Sequence, residues 1–432
     1  MVNTKIAAVA VAAIIVVAAV GAFFLLKSEG RNEEINLVLG LEAEGSAIYY
    51  NADNIDASDL FVTDSSGNIV VDSDGNVTYR AAGWGGLIFG IPGTAAIQFY
   101  QIKTIVESYL SDSSKVENGE TASYTFKAWS EGTTLASNEV GYIVVGSAAD
   151  TILSYNSSTK QIDIGITWQP QIAKLTDQTR SDLDTPYTVL VTTNVLFPDQ
   201  TCCVLYANAS FVSEHRDVAV RTVWAFIQAT NWINDAIAAG EENEDDENFQ
   251  ALLTITANVA GTGFTSDEIV EALKDVGYAW GTDNTTDPLD KVKEDIANQT
   301  DQLYDIGGLI DNSLSSLGYS SSSAYADDFV DSSLVLEALQ ISGTPTYDST
   351  YSLNFSLIAG DMHSIAAYIA STLLPGQTQT FFEQAGIDIN IVPTSLGSGV
   401  MTALKANEAD FGIAAQPAFI IDNINAKLTT AD

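Results

Sequence analysis

The chain has 432 residues, 46% of them hydrophobic, and carries 56 acidic against 17 basic side chains for a formal charge of −39. That much apolar material can bury a large core across two or three domains, which argues against disorder in spite of the charge. The acidic balance argues against nucleic acid or an anionic membrane surface as a partner and fits a well-solvated exterior.

Residues 6–26 form an uninterrupted apolar run between Lys5 and Lys27. As a helix it would extend about 31 Å, enough to cross a bilayer core. It is too long for an ordinary cleaved leader and ends in the bulky Phe23-Phe24-Leu25-Leu26, so residues 1–31 read as an N-terminal transmembrane helix, a single-pass anchor in the cell membrane. Glu29, Glu33 and Glu34 fit a body outside the cell. Cleavage of a signal peptide there would instead make the body secreted.

After the anchor, INLVLGL at 35–41 reads as a buried strand. Two turn signals, Ser66-Gly67-Asn68 and Asp74-Gly75-Asn76, flank Ile69-Val70-Val71 and predict a hairpin-like excursion. The segment 72–76 has the start of a calcium loop but lacks the downstream Glu, and reads as a plain turn. Strands follow at 86–91, 124–129, 140–145 and 162–168, with a helix after Gly93-Thr94. Adjacent Cys202 and Cys203 sit in an apolar strand pattern. Strand neighbours face opposite ways, so the pair reads as two buried small hydrophobes rather than a disulfide or a metal site.

From Arg216 the period turns helical, with Val220, Val223, Trp224, Ile227, Trp232 and Ile237 on one face. Further helices are predicted after Ser266, over 289–317 and over 331–339. Residues 342–351, with Ser342-Gly343-Thr344-Pro345, form the clearest linker. Beyond it, strand 353–358, helix 364–374, strand 387–392, helix 399–406 and strand 411–414 alternate, which predicts a parallel sheet with right-handed crossovers.

The two stretches SLNFSLIAGDMHSIAAYIAST (352–372) and FFEQAGIDINIVPTSLGSGVMTALKANEADFGIAAQPAFI (381–420) resemble the opening lobe of solute-binding proteins of ABC importers, in the group that binds nitrate, sulfonates, taurine and pyrimidines. Upstream, Gly45-Ser46-Ala47-Ile48, Gly90-Ile91-Pro92-Gly93-Thr94 and Asp163–Pro170 resemble that group's hinge, second-lobe opening and "D…W-x-P" strand. In the group the opening lobe comes first; here it comes last. The resemblance implies an α/β, two-lobe periplasmic-binding-protein (type II-like) fold in circularly permuted order. Residues 35–50 would be the hinge strand, 51–200 the second lobe, 201–341 a return strand and helical closing region, and 352–432 the first lobe. Natural termini that lie close together make such a rearrangement inexpensive.

The implied function is capture of a small molecule in the cleft between lobes and its delivery to an ABC permease, by a monomer that is not an enzyme and uses no cofactor or metal. In open α/β sheets, ligands sit beyond the carboxyl ends of the strands. Three loops qualify: Gly360, Asp361, Met362, His363 and Ser364; Ser395, Gly397, Ser398 and Gly399; and Gly93 and Thr94, followed by Gln98 on the next helix. Backbone N–H groups at helix starts favour an anion, so a sulfonate, nitrate or carboxylate is expected. Ser46, Trp168, Gln169 and Gln416, at strand ends, complete the candidate set. Two other readings remain: an enzyme similar to the thiamine pyrimidine synthases, which carry a cysteine cluster and an active-site histidine, and a surface module that uses the fold for sensing or contact alone.

Overall fold

A computed structural model describes residues 35–429 apart from 44, 74, 95, 146–161, 178–186, 199, 262, 283–285, 344, 346, 348 and 349. The apolar run at 6–26 lies outside the described residues. Among those described, no helix is long and apolar enough to cross a membrane.

The strands are β1 (Ile35–Gly40), β2 (Glu42–Ala43), β3 (Ser46–Asn51), β4 (Ile88–Ile91), β5 (Thr125–Ala128), β6 (Glu139–Val144), β7 (Ile164–Trp168), β8 (Tyr187–Thr192), β9 (Cys203–Asn208), β10 (Gly277–Tyr278), β11 (Tyr351–Ile358), β12 (Ile387–Thr394) and β13 (Phe411–Ala415). They build a five-stranded sheet in the order β1-β9-β13-β11-β12 and a six-stranded sheet in the order β5-β6-β4-β7-β3-β8. A short antiparallel pair joins β2 to β10.

The two sheets share one plan. In the five-stranded sheet β11 runs parallel to both β12 and β13, while β9 runs antiparallel to β13 and to β1. In the six-stranded sheet β4, β5, β6 and β7 form the parallel part, and β3 lies antiparallel between β7 and β8. The chain passes between sheets twice, from β1 to β3 and from β8 to β9. The segment expected to be one hinge strand at 35–50 is instead divided among three strands, β1, β2 and β3, each in a different sheet. Gly45 has φ +102°, a left-handed conformation that a side chain would strain.

Each sheet carries its own core. One holds β1, β9, β11 and β13 with helices such as Arg216–Glu242, whose residues Val220, Val223, Trp224 and Ile227 are buried. The other gathers Phe61, Trp84, Phe89, Ile102, Ile105 and Ile166 around the six-stranded sheet. β1 is an edge strand, yet all six of its residues are buried. The segment at Val330 and Asp331 covers it: Leu37 bridges Val330, and Asp331 N–H donates to the Leu37 carbonyl at 2.7 Å. An edge so covered cannot pair with another chain.

The predicted helix over 289–317 is shorter than expected. It runs Asp290–Asp305 and stops where Gly307, at φ +67°, turns the backbone left-handed. The linker region at 342–351 is described only in part, and β11 begins inside it at Tyr351.

Gly165 on β7 sits opposite Tyr49 on β3, and a Cβ there would come within 2.2 Å of the Tyr49 ring. Tyr49 is fully buried and packs edge-on against Tyr187. Gly165→Val is expected to destabilise the protein by about 1–3 kcal/mol through overpacking. Thermal unfolding measures this directly; an unchanged midpoint would show that the ring moves aside freely.

Candidate functional site

The carboxyl ends of β4, β6 and β7 in one sheet face those of β11 and β12 in the other across a cavity of 240 Å³. From the six-stranded side come Gly93, Thr94, Gln98, Val144 and Trp168. From the five-stranded side come Ile358, Asp361, His363, Leu396, Gly397 and Ser398. Cys202 and Cys203, where the chain re-enters the five-stranded sheet, also line it.

Two helices start at this cavity. Ile97–Glu107 is preceded by Ala96, and Gly397–Lys405 by Leu396; neither N-cap residue makes a side-chain cap bond. First-turn N–H groups without a side-chain acceptor, together with the helix dipole, form an acceptor-binding surface. The third loop differs. Asp361 accepts the His363 backbone N–H at 3.0 Å and bonds its ring Nδ1 at 2.7 Å. A protein carboxylate thus occupies this turn, where an external anion was expected.

Eight of the sixteen sequence-predicted residues line the cavity: Gly93, Thr94, Gln98, Trp168, Asp361, His363, Gly397 and Ser398. The other eight do not. Met362 is buried in the core, and Ser364 is fully buried beside it. Gly360 lies in an exposed turn with φ +74°, and Ser395 is exposed. Gly399 packs on Thr394, where a Cβ would come within 2.9 Å. Ser46 accepts a bond from Gln98 Nε2 at 3.0 Å and so supports a lining residue from behind. Gln169 Nε2 donates to Asp275 at 2.6 Å, and Gln416 Nε2 donates to the Thr201 carbonyl at 2.8 Å. Each of these buried amides is turned to a protein acceptor, as an amide removed from water must be.

Sequence reasoning missed three participants. Cys202 precedes β9 rather than lying within it, so strand alternation does not separate the pair, and their Sγ atoms stand 3.9 Å apart. Glu42, in the short β2 strand, is fully buried; its Oε1 accepts the Cys203 N–H at 2.7 Å, and its Oε2 lies 3.8 Å from His363 Nε2. Nothing in the local pattern marks Glu42, because its partners come from 160 residues and more further along the chain.

These groups hold protons tightly. Burial pushes the Glu42 carboxyl up to about 7, against the opposing pull of His363. Burial also works against a charged imidazole, yet Glu42 and Asp361 hold His363 well above the usual histidine value. For Cys203 the contact with Cys202 favours the thiolate, but burial and the Glu42 carboxylate outweigh it and raise the thiol.

The sign of the resulting pH dependence follows from linkage. Glu42 rises from 4.5 to about 7 on folding, so its contribution is present below pH 4.5 and lost as pH climbs to 7. The upward shift of His363 acts in the same direction. With chelator present, stability is expected to fall by up to about 3 kcal/mol over that window from Glu42 alone. Denaturant unfolding of wild type and Glu42→Gln at pH 4.5 and 7.5 tests this: the variant should gain relative to wild type as pH rises, and parallel curves would refute it.

The NMT1/THI5-like family model matches residues 370–426, which hold helix Gly397–Lys405, β12 and β13. None of the curated proteins matches the chain. Among solved structures, a ligand-binding component of an ABC-type import system from Staphylococcus aureus, with zinc bound, is similar at 16% identity and a TM-score of 0.37, over 72% of this chain and 77% of that one.

Proposed function

We propose that this chain is the solute-binding protein of an ABC importer and that it holds a small molecule between two lobes. The observation that carries the reading is the cavity itself: strand ends of two similarly built sheets face each other across it, and two chain crossings join them. Closure about those crossings would bury the ligand and give a permease a closed form to recognise. The NMT1/THI5-like match adds support within the segment that supplies Gly397 and Ser398.

The ligand is small, with an apolar or planar body and at least one acceptor group. Trp168, Val144, Ile358 and Leu396 suit the body. The two uncapped helix starts and protonated His363 suit a carboxylate, sulfonate or nitrate. Among the described residues no lysine or arginine lines the cavity, so selection for an anion rests on backbone dipoles and this one imidazole.

In this proposal the chain is circularly permuted relative to the group it resembles. β11, β12 and β13, from the end of the sequence, supply the parallel part of the sheet that β1 and β9 complete. The body is placed outside the cell as a monomer tethered through residues 6–26. It binds and releases its ligand unchanged.

Thermal unfolding of the purified chain against a panel of carboxylates, sulfonates, nitrate and pyrimidines tests the reading. A true ligand at about a hundredfold above its dissociation constant should stabilise by about 2.7 kcal/mol. A flat response across the panel would sink the transport role.

A further inference from the structure

We infer that Glu42, Cys203 and His363 form a binding site for one divalent transition-metal ion of the zinc class, at the edge of the cleft. The inference stands apart from the transport reading, because it concerns three protein donors and no organic ligand.

One oxygen, one sulfur and one nitrogen from three distant parts of the chain lie within 4.8 Å of one another, and all three residues are buried. A tetrahedral ion with bonds of about 2.0–2.3 Å holds its donors about 3.3–3.6 Å apart, so these need to draw together by only about 1 Å. The mixed set of carboxylate, thiolate and imidazole suits zinc, cobalt or iron rather than magnesium or calcium.

The surrounding bonds orient the donors. Glu42 uses Oε1 for the Cys203 N–H, while its buried Oε2 accepts no hydrogen bond. An unsatisfied buried carboxylate oxygen is costly, and a metal ion would satisfy it. Asp361 bonds His363 Nδ1 at 2.7 Å, which in the neutral ring fixes the tautomer that presents Nε2 toward Glu42. A carboxylate behind a histidine is the usual support of a metal-ligating imidazole.

The backbone agrees. Gly45 passes beside the ring, and a Cβ there would stand 2.9 Å from His363 Nε2. The bare glycine keeps that side open. Cys203 and His363 also line the cavity, so three protein donors would leave a coordination position on the side where a solute enters. That is the pattern of an open rather than a closed metal site.

Cobalt titration of the full-length chain, after chelator treatment and under reducing conditions, tests the assignment. Wild type should develop a thiolate-to-cobalt charge-transfer band that saturates at one equivalent, and zinc should bleach it. Cys203→Ser should lose the band. Glu42→Gln, which preserves volume, should weaken cobalt binding by about tenfold or more while the far-ultraviolet circular dichroism stays unchanged. His215→Ala, at the remaining histidine, should leave the titration as it is. A missing band in folded wild type, a band that survives Cys203→Ser, or unaltered affinity in Glu42→Gln would each overturn the site. If Cys203→Ser does not fold, the affinity of Glu42→Gln decides alone.

Discussion

Gly93→Phe is expected to abolish solute binding while leaving the fold intact. Gly93 has no left-handed φ, so a side chain is tolerated by the backbone. A Cβ built there has one neighbour within 4 Å, Leu396 Cδ1 at 3.9 Å, which belongs to the opposite side of the cavity. A phenyl group would therefore project from the six-stranded side toward the five-stranded side. It would take up much of a 240 Å³ cavity and hold the two sides apart. Affinity for any solute found by thermal screening should fall by about a hundredfold or more, roughly 2.7 kcal/mol, with the ligand-free unfolding midpoint little changed. Calorimetric titration of both proteins with the same ligand gives the answer. Undiminished affinity in the variant would place the solute elsewhere.

His363→Leu should produce the largest loss of stability at the site. The imidazole stands between two carboxylates, 2.7 Å from Asp361 and 3.8 Å from Glu42, with all three side chains buried. Removing the one positive partner leaves buried acidic groups without compensation, a change that costs about 3–5 kcal/mol in comparable buried pairs. Compared at alkaline pH, the double variant His363→Leu with Glu42→Gln should recover part of that loss, because the second change removes a buried carboxyl that has lost its positive neighbour. Chemical denaturation of the wild type, both single variants and the double variant forms a complete cycle. Strict additivity would mean that the two side chains do not interact across the 3.8 Å that separates them.

Legibility in the sequence followed a clear physical line. Strands β11, β12 and β13 and their helices are predicted well from the βαβαβ alternation, because local period and tertiary role agree there. The loops at strand ends were also legible, and Gly93, Thr94, Gly397 and Ser398 reach the cavity as expected. What failed was side-chain direction. Gln169, Gln416 and Ser46 lie at the expected strand ends, but each turns to a protein partner that only the tertiary structure supplies. The cysteines are buried and unbonded as expected, but strand alternation does not set them on opposite faces, because Cys202 lies one residue before β9 begins. Glu42 carried no local signal at all. Its importance arises only when β2, β9 and the turn before helix Ile365–Ser371 meet.

The site also shows why the negative net charge is a poor guide to ligand choice. Charge at the surface is solvated and screened over about 8–10 Å. At the cavity stand two helix starts and the His363 imidazole with the carboxylates that hold it.

Native mass spectrometry of the full-length chain, purified without denaturation and compared with Gly93→Phe, tests the central claim most directly. One small organic molecule should be bound to the wild type, and it should be missing from the variant. A wild-type protein at its bare mass, or the same adduct on both proteins, would contradict a solute held between the two sheets.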